Sequence, residues 1–420
     1  MSALITDLYQ LTMLQGYFRE GLTGEAVFEF AVSRLPENWG FFVSCGLDIL
    51  LDYLEGLRFE KEEIEWLAKT GLFHDDFLEW LSGFEFRGDI YAIPEGEVFF
   101  PYEPVVQVVA PLPQAQLIET RLINIMHYSI LVATKAVRCV LAARGKTLVE
   151  FGLRRAHGAE AGLWAARASY IAGFAGTSNV EAGRRYGVPI YGTMAHSYVM
   201  AHPDEASAFL GFARSQKTPV ILLIDTYDSL KGAETAAELV PKLLGEGIEV
   251  KGVRLDSGDL VGLSKGVRRI LDRAGLKELS IFASGDLDEY RIDELLKSGA
   301  PIDGFGVGTR LVTAADSPYL VCGYKLYEYE GKPKRKASPS KATWPGRKQV
   351  YRFHEGGGIS HDLLALWEET VEGGGPLLRP VMRRGERLGP REPLEEIRER
   401  LRKSLGALPP RFKAVRAMEP

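Results

Sequence analysis

Near the start, apolar residues recur at helical spacing. Leu8, Leu11, Leu14 and Phe18 fall on related faces, and Thr6 and Asp7 precede them as N-cap candidates. From Gly24 to Val32, and again from Gly88 to Ala110, the pattern turns β-type. VFEFAV, GDIYAIP, EVFFP and PVVQVVAP are short, rich in Val, Ile, Phe and Tyr, and bounded by Pro or Gly. Asp48 to Trp80, between them, reads as helices. These elements predict a first α/β domain over residues 1–114.

Leu117 to Arg144 predicts one long amphipathic helix, after which the rhythm alters. TLVEFG, VPIYGT, PVILLID, EVKGVRLD, LSIFASGD and IDGFGVG are apolar runs of strand length. Helical patterns such as AEAGLWAARASYIA, PDEASAFLGFARSQ, GAETAAELVPKLL and DLVGLSKGVRRILDRAG separate most of them. Apolar strands alternating with helices predict parallel βαβ units. Six or seven such units favour an α/β (TIM-like) barrel, here over 115–323, and leave a doubly wound sheet open. A C-terminal region, 324–420, begins with a basic loop punctuated by Pro and Gly. It ends in a helical pattern from Leu394 to Leu405 and is expected to pack partly on the first domain.

Composition narrows the class. A net charge of −5 over 420 residues argues against a nucleic-acid partner. No apolar run reaches membrane-spanning length and no basic segment precedes a cleavage-type site at the start, so a cytoplasmic protein without membrane association is expected. Cys45, Cys139 and Cys322 are dispersed and odd in number, which predicts neither a disulfide framework nor a structural zinc site.

The candidate chemistry lies where the apolar strands end. PVILLI runs into Asp225, and KGVRL into Asp256, Ser257, Gly258 and Asp259. LSIFA ends in Ser284, Gly285 and Asp286, and IDGFG in Gly308 and Thr309. Upstream, TLVEFG leads to Arg154 and Arg155, IAGFAG to Thr177 and Ser178, and VPIYGT to His196. In barrels these ends form one mouth. Glycine turns before helices favour phosphate, through unpaired N–H groups and the helix dipole. Asp225, Asp256 and Asp286 are candidates to hold Mg²⁺ or to accept from ribose hydroxyls. Together they suit a sugar phosphate. His196 and His202 lack the further ligands that a zinc site needs, and neither a Walker nor a Rossmann fingerprint is present.

The ordered set DLYQLTM, EFGLRRAHG, GTSN, GTMAHS, LIDTYDS, GVRLDSGDL, ASGDLDEY, FGVGTRL and PSKATWPGRKQVYR resembles the nicotinate phosphoribosyltransferase family. The resemblance implies an α/β sandwich domain joined to an irregular α/β barrel. It also implies ATP-dependent transfer of phosphoribosyl from phosphoribosyl pyrophosphate (PRPP) to nicotinate in NAD salvage. Mg²⁺ and a homodimer with a shared site are further implications. In that pattern Asp7 and Tyr9 reach the partner's barrel, Phe151 stacks on the pyridine ring, and Arg154, Thr177 and Ser178 complete the nicotinate pocket. Arg254, Asp256, Ser257 and Gly258 hold PRPP, while Ser284, Gly285, Asp286, Gly306, Gly308 and Thr309 surround its 5′-phosphate. Asp225 and Asp256 are the catalytic and Mg²⁺-facing carboxylates, and His196 is the residue that ATP phosphorylates.

The basic run Lys332 to Lys348 holds seven Lys or Arg and no acid, so Lys341 and Lys348 are expected to help cover bound phosphates. Related nicotinamide enzymes resemble Gly-Thr-Asp where this chain has Gly176-Thr177-Ser178. Ser178 does not repel a carboxylate, which favours the acid substrate. The alternatives are a nicotinamide-specific transferase and a barrel that binds PRPP or nucleotide without catalysis.

Overall fold

The computed structural model describes residues 2–337 and 343–416. The chain divides into two compact units, Met1–Thr134 with Tyr319–Pro420, and Lys135–Pro318. The division falls inside the helix Glu119–Ala143. By length and composition alone that helix could cross a membrane, but 78% of its most apolar window is buried in the protein, as in a core helix.

The first unit is built on a seven-stranded antiparallel sheet. An inner strand, Glu25–Arg34, pairs with Pro104–Pro111 on one side and with Val321–Tyr329 on the other. Arg379–Arg383 pairs with Asp89–Ala92 further out, so the C-terminal region completes this sheet. The expected strands VFEFAV and PVVQVVAP are present, and Phe30, Val106 and Val108 are fully buried. Asp7 stands at the N-cap position of the Leu8–Glu20 helix, but its side chain does not cap. Its Oδ2 accepts instead from the Thr120 hydroxyl at 2.8 Å.

The second unit contains six parallel strands in the spatial order Gly176–Thr177, Thr147–Glu150, Gly304–Val307, Ser280–Ala283, Val250–Leu255 and Val220–Leu223. The helices Ala159–Ala172, Glu205–Ser215, Ser229–Gly245, Leu260–Arg273 and Glu289–Lys297 alternate with them. This is the parallel half of an irregular α/β barrel, and among the described residues no ladder joins its two edge strands. One expected strand differs. VPIYGT forms only an isolated bridge, Ile190 to Thr177, because Pro189 lacks an N–H to extend the ladder and the segment leaves the sheet at once. His196 therefore does not end a strand. It opens the short helix His196–Met200.

Candidate active site

The C-terminal ends of the parallel strands surround a cavity of about 510 Å³. Phe151, Arg154 and Ser178 line one side, and Arg254, Asp256 and His196 another. The floor is made by the turns at Ser284, Gly285 and Asp286 and at Gly306, Gly308 and Thr309. Two glycines are obligatory there. Gly285 has φ +94°, and a Cβ on it would lie 2.0 Å from the Asp256 carbonyl oxygen. At Gly306 a Cβ would lie 2.5 Å from the Phe151 ring, so glycine is what lets that ring lie over the sheet. Asp286 follows with φ +50°, and such a turn presents backbone N–H groups as an anion-binding concavity.

A chain of hydrogen bonds links three strand ends. Asp225 Oδ2 accepts from the Asp256 N–H at 2.8 Å and from the Ser257 hydroxyl at 2.8 Å. The Ser284 hydroxyl donates to Asp256 Oδ1. Asp256 Oδ2 stands 4.0 Å from His196 Nε2, and His196 Nδ1 pairs with the Thr226 hydroxyl at 3.1 Å. In the tautomer whose Nδ1–H donates to Thr226, the lone pair is on Nε2.

Arg254 donates through Nη2 to the Met194 carbonyl at 3.0 Å. Burial pulls its pKa down and nearby Arg154 adds to this, while Asp256 and Asp225 oppose it. Its buried Nε and the buried Asp225 Oδ1 have no hydrogen-bond partner in the protein. Arg254 lines the cavity, so its unmet Nε is what a bound polar ligand would satisfy, whereas Asp225 does not line it.

Not every expected residue faces this space. Thr177 is fully buried, and its hydroxyl donates to the buried Glu150 carboxylate and accepts from the Asn179 N–H at 3.0 Å. It supports Ser178 from below and does not line the cavity. Asp225 and Ser257 stand one layer behind Asp256, and Gly258 forms the adjoining turn with φ +82°. Asp259 caps the Leu260–Arg273 helix by accepting from the Val261 N–H at 3.2 Å. His202 is structural, with Nδ1 2.8 Å from the Tyr198 carbonyl oxygen.

Asp7 and Tyr9 belong to the first unit, where Tyr9 is 47% exposed. Lys348 departs from the expectation of a free phosphate-covering cation. It is 4% exposed, its ammonium is 2.9 Å from Glu29 Oε2, and it donates to the Gly346 carbonyl at 2.7 Å. A cation so committed acts as a strut of the first unit. Lys341 lies outside the described residues.

Three features were missed from sequence. Glu150 is buried, its pKa raised by that burial, and it accepts from the Gly152 N–H as well as from Thr177. Gly192, Thr193, Met194 and Ala195 rim the cavity along the segment read as a strand. Glu205 has a buried Oε1 without a hydrogen-bond partner, and burial followed by the charges of Asp225 and Asp228 pushes its carboxyl up to about 7. A glutamate opening a helix is so ordinary that only the tertiary neighbours mark it.

Two family models match the chain. The nicotinate phosphoribosyltransferase N-terminal domain covers residues 4–127, and the nicotinate phosphoribosyltransferase family covers 147–349. The chain belongs to the nicotinate phosphoribosyltransferase family. It is similar to the nicotinate phosphoribosyltransferase pncB2 of Mycobacterium tuberculosis, with 47% identity over 99% of this chain and 89% of that one. With the Bacillus subtilis nicotinate phosphoribosyltransferase it shares 44% identity over 88% and 77% of the two chains. The crystal structure of human nicotinic acid phosphoribosyltransferase is similar over 98% of this chain and 96% of that chain, with a TM-score of 0.88 at 29% identity.

Proposed function

We propose that the chain transfers the phosphoribosyl group of PRPP to the ring nitrogen of nicotinate, releasing pyrophosphate, and couples this to ATP through a phosphoryl group on His196. One observation carries the reading. Two glycine turns, the Asp225–Asp256–Ser284 hydrogen-bond chain and the His196 imidazole converge on one cavity. Pyrophosphate departure from C1 leaves oxocarbenium character on the ribose. Asp256, held by the Ser284 hydroxyl, would steady that charge, and Asp225 would fix the Asp256 backbone. Turn N–H groups at Gly285 and Gly308 would receive the 5′-phosphate. Phe151 would stack on the pyridine ring, with Arg154 near its carboxylate and the uncharged Ser178 tolerating that carboxylate.

Among the described residues no group of three or more His, Cys, Asp or Glu is arranged to hold a metal ion. Mg²⁺ typically takes one or two carboxylates plus substrate oxygens, and Asp225 with its unpartnered Oδ1, together with Asp256, suits that role. Bound there, it would neutralise charge on the departing pyrophosphate. His196 Nε2 would take the γ-phosphoryl of ATP, with ADP leaving. A doubly charged phosphate beside Asp256 would repel it and shift the 256–258 turn, a route by which ATP could reset PRPP binding. Asp7 and Tyr9 would enter the site of a second copy.

Pyrophosphate release from PRPP with nicotinate or nicotinamide, each with and without ATP, tests the reading. Nicotinate-dependent release stimulated by ATP is expected, and activity with nicotinamide alone would refute it. His196→Asn should abolish ATP hydrolysis and an acid-labile, base-stable phosphoryl label while weak ATP-independent transfer survives. Full ATPase activity in that variant would return His196 to a structural role.

A further inference from the structure

Outside the cavity, two of the buried cations of the second unit share one carboxylate. Lys135 and Arg138, on the helix Glu119–Ala143, are 0% and 4% exposed. Both hold Glu289, itself 0% exposed, with Lys135 Nζ 2.7 Å from Oε2 and Arg138 Nε 2.9 Å from Oε1. The Lys135 ammonium also lies 2.5 Å from Asp316 Oδ1. Glu289 opens the helix that leaves the Gly285–Asp286 turn, and Asp316 follows the Thr309–Val312 helix that leaves the Gly308–Thr309 turn. One ammonium therefore ties together the exits of both glycine turns. At the exposed rim Arg310 repeats the link, 2.9 Å from Asp286 and 3.3 Å from Asp288.

An apolar cluster of the same volume would commonly stabilise a core as well as buried ion pairs do, because desolvating the charges offsets their attraction. The distinctive property of this bridge is its geometry. We propose that Lys135 is a positioning residue, holding Glu289 and Asp316 on one ammonium so that the two glycine turns keep the separation a sugar 5′-phosphate requires. Burial pulls the Lys135 pKa down, and Glu289, Cys139 and Asp316 outweigh this to leave it raised, so the ammonium keeps its charge. The proposal deepens the functional reading above and rests on it for the phosphate ligand.

Asp316→Asn cuts the second arm of the bridge at a side chain that is 27% exposed, and Lys135→Met removes the ammonium while Arg138 still pairs Glu289. The probe is ribose 5-phosphate, measured by calorimetry, alongside steady-state KM values for PRPP and nicotinate. Each variant should weaken ribose 5-phosphate binding and raise the PRPP KM by roughly tenfold, with the nicotinate KM unchanged within about twofold. Asp316→Glu should recover most of the loss. A merely structural role would lower the melting temperature and the active fraction without changing the affinity of the folded protein, and that result overturns the proposal. If Lys135→Met does not fold, Asp316→Asn decides alone. A wild-type chain that binds ribose 5-phosphate yet does not turn over nicotinate refutes only the functional reading, since the affinity ratio still tests the bridge. A wild-type chain with no affinity for ribose 5-phosphate overturns the bridge itself.

Discussion

Gly306→Ala tests whether the Phe151 side of the cavity stacks on the pyridine ring. The added Cβ would lie 2.5 and 2.6 Å from two carbons of the Phe151 ring and 3.2 Å from the Phe282 ring. Non-bonded carbons rest at about 3.5–4.0 Å, so the Phe151 ring must retreat by roughly 1 Å. Phe282, with its ring centroid 6.1 Å from that of Phe151, limits the retreat on one side and directs it towards the cavity. Overpacking of this kind costs about 1–3 kcal/mol of stability. A displacement of about 1 Å in a group that positions the substrate lowers kcat/KM by up to about a hundredfold. We expect kcat/KM for nicotinate to fall by roughly ten- to a hundredfold, mainly through KM, with the PRPP KM within about twofold of wild type. Initial rates with each substrate varied at saturation of the other give both constants. Adding Phe151→Leu should relieve the overlap and restore the melting temperature without restoring nicotinate affinity. A wild-type nicotinate KM in Gly306→Ala, or an equal rise in both KM values, would refute the stacking role of Phe151.

Two further outcomes follow from buried charge. Lys348→Met leaves Glu29, 2% exposed, without its cation, and should cost about 3–5 kcal/mol in denaturant unfolding. Adding Glu29→Gln should recover much of that loss, whereas a small cost with a raised PRPP KM would return Lys348 to phosphate binding. Glu205 titrates near 7 when folded against an ordinary value of 4.5, so between these values the folded state binds more protons than the unfolded chain. Wild-type stability therefore falls as pH rises through that window and levels off above it. Glu205→Gln should remove this slope and gain on the order of 1 kcal/mol over wild type above pH 7, reduced from the full linkage because the group is only partly buried. Parallel stability–pH curves for the two proteins would refute the assignment.

The parallel strands were legible because short runs dominated by Val, Ile, Leu and Phe, unbroken in 220–223 and interrupted only by Lys251 and Arg254 in 250–255, alternate with helical patterns, as in a sheet covered on both faces. Strand-end polar residues could be named for the same reason, since a buried strand releases its polar residues where it leaves the core. VPIYGT carried the same apolar signal but failed as a strand, because Pro189 has no N–H to extend the single bridge from Ile190 to Thr177. Lys348 misled in the opposite sense. It sits at the end of a basic loop pattern, and nothing local reveals that Glu29, far away in sequence, takes its charge. Glu150 looked like any strand residue until Thr177 and Gly152 were brought against it. The one local sign of the interior bridge was Lys135 and Arg138 at i and i+3 on an otherwise apolar stretch of helix, charges that burial would oblige to find partners.

The pairing of Glu25–Arg34 with Val321–Tyr329 sets the order in which this protein can mature on the ribosome. Ala26 meets Tyr329 roughly 300 residues later, so this inner strand of the first sheet is synthesised long before one of its two neighbours exists. Until then the nascent chain carries an open, apolar strand edge bearing Phe28 and Phe30, which invites wrong pairings between chains. Residues 135–318, by contrast, form a contiguous segment that can collapse as soon as it emerges. The segment that holds the cavity is thus an insertion within the first unit, and the sheet it interrupts cannot close until Val321–Tyr329 has been made. Slow synthesis of the final hundred residues should therefore raise aggregation more than slow synthesis anywhere else in the chain.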